Sequence, residues 1–149
     1  MTTAIHLAGP DAAPQVLTLA AQFHAETGVD MDDAHRVAAL GPLLEGSPLG
    51  AVYLFGPQRA PVGYLVVSFG WSLEMGGMDA FLDELFIRPS VRGRGIGTEV
   101  LMSIARALGG AGVMALHLEV ARDAPDTQRL YEKAGFDLRG DKCPMTRRL

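Results

Sequence analysis

Leu85-Phe86-Ile87-Arg88-Pro89-Ser90-Val91-Arg92-Gly93-Arg94-Gly95-Ile96-Gly97-Thr98 carries an apolar strand into a turn rich in arginine and glycine, and from there directly into a helix. The first N–H groups of a helix lack intrahelical acceptors, and its N-terminus carries roughly +0.5 of an elementary charge. Glycine at 93, 95 and 97 removes the side chains that would keep an anion away from those groups. Arg92 and Arg94 add planar donors whose geometry suits phosphate. The segment reads as a cradle for a pyrophosphate.

Three phosphate-binding turns compete for this pattern. A P-loop requires Gly-Lys-Ser/Thr at its end, which the segment lacks. A dinucleotide turn requires Gly-x-Gly-x-x-Gly, and here the third glycine comes one residue early, although Glu119 stands 22 residues beyond Gly97, where a ribose-binding acid is expected. The turn also starts past the middle of a chain of 149 residues, leaving no room for a doubly wound sheet after it. The third pattern, Arg/Gln-x-x-Gly-x-Gly/Ala after a strand, is met at every fixed position by Arg92-Gly93-Arg94-Gly95-Ile96-Gly97.

A second motif, Leu130-Tyr131-Glu132-Lys133-Ala134-Gly135-Phe136, follows about 33 residues later. With both motifs in this order, and Phe81-Leu82-Asp83-Glu84 leading into the first, the chain resembles the GNAT superfamily of acyl-CoA-dependent N-acetyltransferases. The resemblance covers residues 81–136; residues 1–80 agree in layout. It implies acetyl-CoA as the cofactor. The pantetheine arm would pair with the main chain of Leu85, Phe86 and Ile87, in a gap between two splayed parallel strands. The pyrophosphate would rest on Arg92, Gly93, Arg94, Gly95, Ile96 and Gly97, with Thr98 offering a hydroxyl. The family often carries an asparagine seven residues before the helix tyrosine, where this chain has Ala124.

Composition agrees with one domain spanning residues 1–149: 48% of residues are hydrophobic and 20% charged. A net charge of −4 argues against a nucleic-acid partner and favours a cationic substrate. A lone cysteine, Cys143, allows no internal disulfide. No apolar run reaches the roughly 20 residues of a membrane span, no export signal is evident, and no metal-ligand cluster is expected. The expected location is cytoplasmic.

Apolar spacing predicts helices from Asp11 to Gly28 and from Asp32 to Leu40, the second stopped by Gly41-Pro42. Strands are predicted at Leu49–Phe55, Val62–Phe69, Phe81–Ile87 and Met114–Val120, with helices at Gly95–Leu108 and from Pro125 to Gly135. Ser68–Asp79 reads as irregular, and Phe136–Arg139 and Cys143–Arg148 as closing strands. The order implies α+β: a mixed, mostly antiparallel sheet flanked by helices. The GNAT fold has this order, with the splayed parallel pair holding the cofactor.

Acetyl transfer to an amine poses two proton problems. A primary amine of pKa near 10.4 is neutral in only about one molecule in 2,500 at pH 7, a penalty of roughly 4.6 kcal/mol. A base or a depressed amine pKa is therefore needed. The departing thiolate then needs a proton, which the motif's Tyr131 would donate, as in many family members. Glu84 is the preferred base and Asp83 the fallback; as neighbours on a strand they face opposite sides, Glu84 with Leu82 and Phe86, Asp83 with Phe81, Leu85 and Ile87. Trp71, Glu74 and Asp79, with Asp83, offer a cation an aromatic face and carboxylates, similar to polyamine- and thialysine-type acetyltransferases. His24 and His35 read as surface residues of the first helices. The expected reaction is direct attack of a small cationic amine on acetyl-CoA in a ternary complex. Protein N-terminal or lysine acetylation, or a non-catalytic acyl-CoA-binding sensor, are the alternatives. Homodimerisation is common in the family and is a weak expectation here.

Overall fold

Five strands form one sheet in chain order in the computed structural model, which describes residues 2–149. They are β1 Ile5–Leu7, β2 Gly50–Phe55, β3 Gly63–Ser72, β4 Gly77–Ile87 and β5 Ala115–His117. All neighbours pair antiparallel except β4 and β5, which run parallel. Helices α1 (Ala13–Thr27) and α2 (Asp33–Leu44) cover one face; α3 (Ile96–Gly110) and α4 (Pro125–Lys133) cover the other. The expected mixed α+β architecture is what the chain forms.

Two cores result. Val16, Leu19 and Ala20 of α1 and Leu40 and Leu44 of α2 pack on Val52, Leu54, Tyr64, Val66 and Phe86. On the opposite face, Val100, Leu101, Ile104 and Leu108 of α3 pack on Phe55, Leu65, Val67, Ala80 and Leu82. With both faces covered, the central strands are buried on both sides, so β2 reads as a continuous apolar run rather than an alternation. Each fully buried aliphatic side chain contributes roughly 1.5–3 kcal/mol.

Several boundaries differ from those predicted. β1 had no counterpart in the sequence reading. The second helix runs through Gly41-Pro42 to Leu44. Pro42 lies in the last turn, where the helix is about to end, and burial of Leu44 in the core holds that turn. Residues 68–79 are not irregular: β3 and β4 form a long hairpin, paired from Ser68↔Phe81 to Ser72↔Gly77. The expected strand 114–120 narrows to Ala115–His117. The expected closing strands at 136–139 and 143–148 are absent: residues 137–149 are exposed and form none. Asp137, Arg139, Asp141, Lys142, Arg147 and Arg148 favour solvent there, and Gly140 and Pro144 interrupt any extended run. No helix among the described residues is long and apolar enough to cross a membrane.

Candidate active site

The β4–β5 pairing stops at Phe81↔His117, while β4 continues to Ile87. Beyond that point β4 has no sheet neighbour on its β5 side, and residues 118–120 leave the sheet. A gap bordered by free strand backbone opens there, and Leu85, Phe86 and Ile87 lie along it.

The end of β4 leads through Arg88-Pro89-Ser90-Val91 into the glycine turn. Gly93 and Gly95 both adopt φ +79°, a left-handed conformation that side-chain-bearing residues rarely take, and a Cβ at either would meet nothing within 4 Å. Gly95 is the N-cap of α3 and supplies no side-chain cap. The first backbone bond into the helix runs from the Glu99 N–H to the Gly95 carbonyl. The N–H groups of Ile96, Gly97 and Thr98 have no intrahelical acceptor, at the positive end of a 15-residue helix. Arg92 is already engaged. Its Nε donates to the Ile87 carbonyl at 2.8 Å, its Nη2 lies 2.7 Å from a Glu26 carboxylate oxygen, and its guanidinium sits 5.6 Å from the centre of the Phe86 ring. Arg94 is exposed.

A β-bulge shapes the carboxylate region. Val66 pairs with Glu84 but Val67 pairs with Leu82, so Asp83 is the extra residue, without a partner on β3. The bulge corrects the sequence reading of the faces. Leu82 lies with Leu85 and Ile87 against α3, whereas Glu84 and Phe86 turn toward α1 and α2. A regular strand would have kept Leu82 and Glu84 together; the extra residue shifts the alternation by one.

Glu84 is the centre of a hydrogen-bonded cluster. The Tyr64 hydroxyl donates to Oε1 at 2.8 Å, and His24 Nε2 lies 2.6 Å from Oε2. His24 Nδ1 in turn accepts from Arg36 Nε at 3.2 Å. His24 is only 3% exposed, so it is not the surface residue expected from the sequence. Helix spacing carried the signal: His24 follows Val16 and Ala20 at intervals of four, and Arg36 precedes Leu40 and Leu44 at the same interval. Burial, then the Glu84 charge and hydrogen bond, push the Tyr64 phenol well above its ordinary range, so it remains a donor. Asp83 is pushed above the ordinary 3.8 by burial, then by the charges of Glu84 and Glu119.

Tyr131 projects from α4, its ring edge-on to Phe136 at 6.0 Å, and burial raises its pKa above 10.0. It borders a cavity of about 820 Å³ between β5, α4 and the C-terminal segment. Its lining comes mainly from β5, the residues that follow it, α4 and the C-terminal segment, with none from 84–98. Where the family asparagine is missing, the loop before α4 is held instead by Gln128, whose amide donates to the carbonyls of Ala121 and Arg122, each at 3.0 Å. That residue was missed in the sequence because it stands inside the following helix.

Trp71, Glu74 and Asp79 collect at the other end of the β3–β4 hairpin. Asp79 lies five residues before Glu84, about 16 Å along an extended strand. Trp71 is 74% exposed. Glu74 meets Arg139 at 2.8 Å, and Asp79 meets His117 Nε2 at 3.1 Å. The structure thus brings Asp83 to Glu84 but sets the other three apart from them.

The sequence model of the Acetyltransferase (GNAT) family matches residues 19–136. No curated protein matches the chain. Among solved structures, an integron cassette protein from the mobile metagenome of Cole Harbour Salt Marsh is 30% identical, covering 96% of this chain and 89% of that one with a TM-score of 0.84. An aminoglycoside N-acetyltransferase in complex with CoA is 15% identical, covering 99% and 95% with a TM-score of 0.81. A ribosomal-protein-alanine N-acetyltransferase from Brucella melitensis biovar Abortus 2308 is 18% identical, covering all of both chains with a TM-score of 0.77. The last two likenesses are of fold.

Proposed function

The chain belongs to the GNAT acetyltransferase family, and from that premise we propose that it transfers an acetyl group from acetyl-CoA to a small cationic amine. The observation that carries this reading is the junction of three features on β4: the free strand edge, the carboxylate bulge and the uncapped start of α3.

The residues fit coenzyme A. The free N–H groups of Ile96, Gly97 and Thr98, with Gly93 and Gly95 open to solvent, suit a pyrophosphate. Arg94 adds charge there, and Arg92 retains donors beyond those held by Ile87 and Glu26. The unpaired backbone of Leu85, Phe86 and Ile87 suits the amide-bearing pantetheine arm. Bound there, acetyl-CoA supplies the activated thioester. An aminoglycoside acetyltransferase of this fold holds CoA, which supports the assignment.

Glu84 acts as the base. Its carboxylate accepts from Tyr64 and His24, and its remaining lone pairs are free to take a proton from the amine nitrogen. Tyr131, kept protonated by burial, donates to the departing sulfur. Asp83 and Glu119 add negative potential that draws a cationic acceptor. Trp71, Glu74 and Asp79 would contact only the far end of a long acceptor, after Glu74 gives up Arg139 and Asp79 gives up His117.

One observation favours a second assignment of the base. Asp83 has its proton affinity raised by burial and by the charges of Glu84 and Glu119, and a base is most effective with a pKa near the working pH. Thiol release from acetyl-CoA tests both readings across polyamines, aminoglycosides, lysine analogues and short peptides. Turnover with a small polycation, lost in Glu84→Gln and retained in Asp83→Asn, supports the reading given. The reverse pattern moves the base to Asp83. Binding of acetyl-CoA without turnover on any acceptor contradicts the enzyme assignment and leaves a sensor.

A further inference from the structure

We propose that His24 and Arg36 are positioning residues for Glu84, Arg36 fixing the tautomer of His24 so that His24 always presents an N–H to the Glu84 carboxylate. The inference rests on Glu84 being the base, and it deepens that assignment.

The hydrogen bonds determine the proton positions. An arginine Nε–H is always a donor, because the guanidinium does not deprotonate in proteins. Arg36 Nε points at His24 Nδ1, so Nδ1 must be the bare, accepting nitrogen. The proton of the neutral ring then sits on Nε2, facing Glu84 Oε2 at 2.6 Å. Arg36 is itself immobilised: Nη1 donates to Asp33 Oδ1 at 2.6 Å, and Nη2 donates to the Met31 carbonyl at 2.9 Å. Both His24 and Arg36 are buried, at 3% and 5% exposure. Burying an arginine only to brace a histidine is costly unless its charge is balanced; Asp33 and Glu84 supply the balance across the cluster.

A proton at Nδ1 would set two N–H groups against each other, so the Arg36 contact leaves His24 no route to relay a proton through Nδ1. A proton taken up by Glu84 has to leave from Glu84 itself, whose side chain is 21% exposed. What the cluster provides is aim. Tyr64 on Oε1 and His24 on Oε2 fix both oxygens of a side chain that is still 21% exposed. The charged or titratable groups facing Glu84 are His24 from α1, Arg36 from α2, Tyr64 from β3 and Asp83 beside it on β4, with Glu119 beyond Asp83 and Asp33 behind Arg36.

Nitrogen-15 NMR of histidine-labelled protein reads the tautomer directly, with the His24 signals assigned by their loss in His24→Gln. The expected result is a bare Nδ1 and a protonated Nε2 in the unmodified protein, and tautomer exchange appearing in Arg36→Met. Kinetically, His24→Leu should lower kcat for the amine about tenfold or more with the KM for acetyl-CoA unchanged, the scale of losing one hydrogen bond to a charged group. His24→Gln, which keeps an N–H donor, should restore most of that loss. A protonated Nδ1 in the unmodified protein, or wild-type kcat in a folded His24→Leu, overturns the proposal. If no amine is acetylated although the tautomer is as stated, the assignment of Glu84 as base has failed, and the positioning role falls with it.

Discussion

Glu84 Oε2 and His24 Nε2 stand 2.6 Å apart, joining the bulged centre of β4 to the last turns of α1. Two residues on, Glu26 of the same helix holds Arg92 at 2.7 Å, at the start of the glycine turn. One helix end therefore contacts both the proposed base and the proposed phosphate cradle. α1 ends at once after Glu26 and Thr27, at Gly28 with φ +72°, so these contacts are made by its final turn.

The Glu26–Arg92 pair competes with any phosphate for the guanidinium. Both partners are 42% exposed, so the pair contributes little to stability, about 0–1 kcal/mol. Glu26→Gln should leave the urea midpoint nearly unchanged while tightening CoA binding by about two- to fivefold, the equivalent of about 0.4–1 kcal/mol in the upper part of that range. Calorimetric titration with CoA measures it. An unchanged affinity would remove Arg92 from the phosphate site.

Gly95→Ala should affect both fold and ligand. Forcing a side chain to φ +79° costs about 1 kcal/mol. The added methyl meets nothing in the chain itself, so any further effect on CoA comes from the ligand. CoA affinity should fall by about tenfold or more, the scale of one lost charge-assisted hydrogen bond. Denaturation and calorimetry together separate the two contributions.

Tyr131→Phe retains the ring packing on Phe136 and removes only the donor. Turnover should fall by roughly 10²–10⁴-fold with little change in the KM for acetyl-CoA. Unchanged turnover would exclude Tyr131 as the proton donor.

Asp83 makes a stability prediction. Its folded-state pKa lies above the ordinary 3.8, so the folded chain holds this proton more tightly than the unfolded chain. The associated stabilisation is complete below about pH 3.8 and is lost as pH rises through the raised folded value. At neutral pH the ionised carboxylate works against Glu84 and Glu119. Asp83→Asn should raise the urea midpoint at pH 7, and the gain should shrink as pH falls toward 4, in a titration of midpoint against pH. A lower midpoint at pH 7 would show that the charge is better accommodated than the bulge suggests.

The glycine turn, the helix starts and the order of elements were legible because each has a local cause: φ freedom, free N–H groups and apolar period. Pro125 opened α4 and Gly28 closed α1 as their residue types require. The bulge at Asp83 was not legible, since nothing local to Phe81-Leu82-Asp83-Glu84 signals an unpaired residue; it arises from the pairing of β3 with β4. The His24–Glu84 contact spans 60 residues and depends on that bulge to turn Glu84 toward α1. The closing strands expected at Phe136–Arg139 and Cys143–Arg148 did not form, because the charged residues of 137–148 favour solvent.

The pH dependence of kcat/KM for an acetylated amine, compared between the unmodified protein and Glu84→Gln, tests the central claim most directly. In Glu84→Gln the rate should be roughly 10²–10⁴-fold lower and its pH profile should differ from that of the unmodified protein. An identical profile with an unchanged rate would contradict Glu84 as the base of this acetyl transfer.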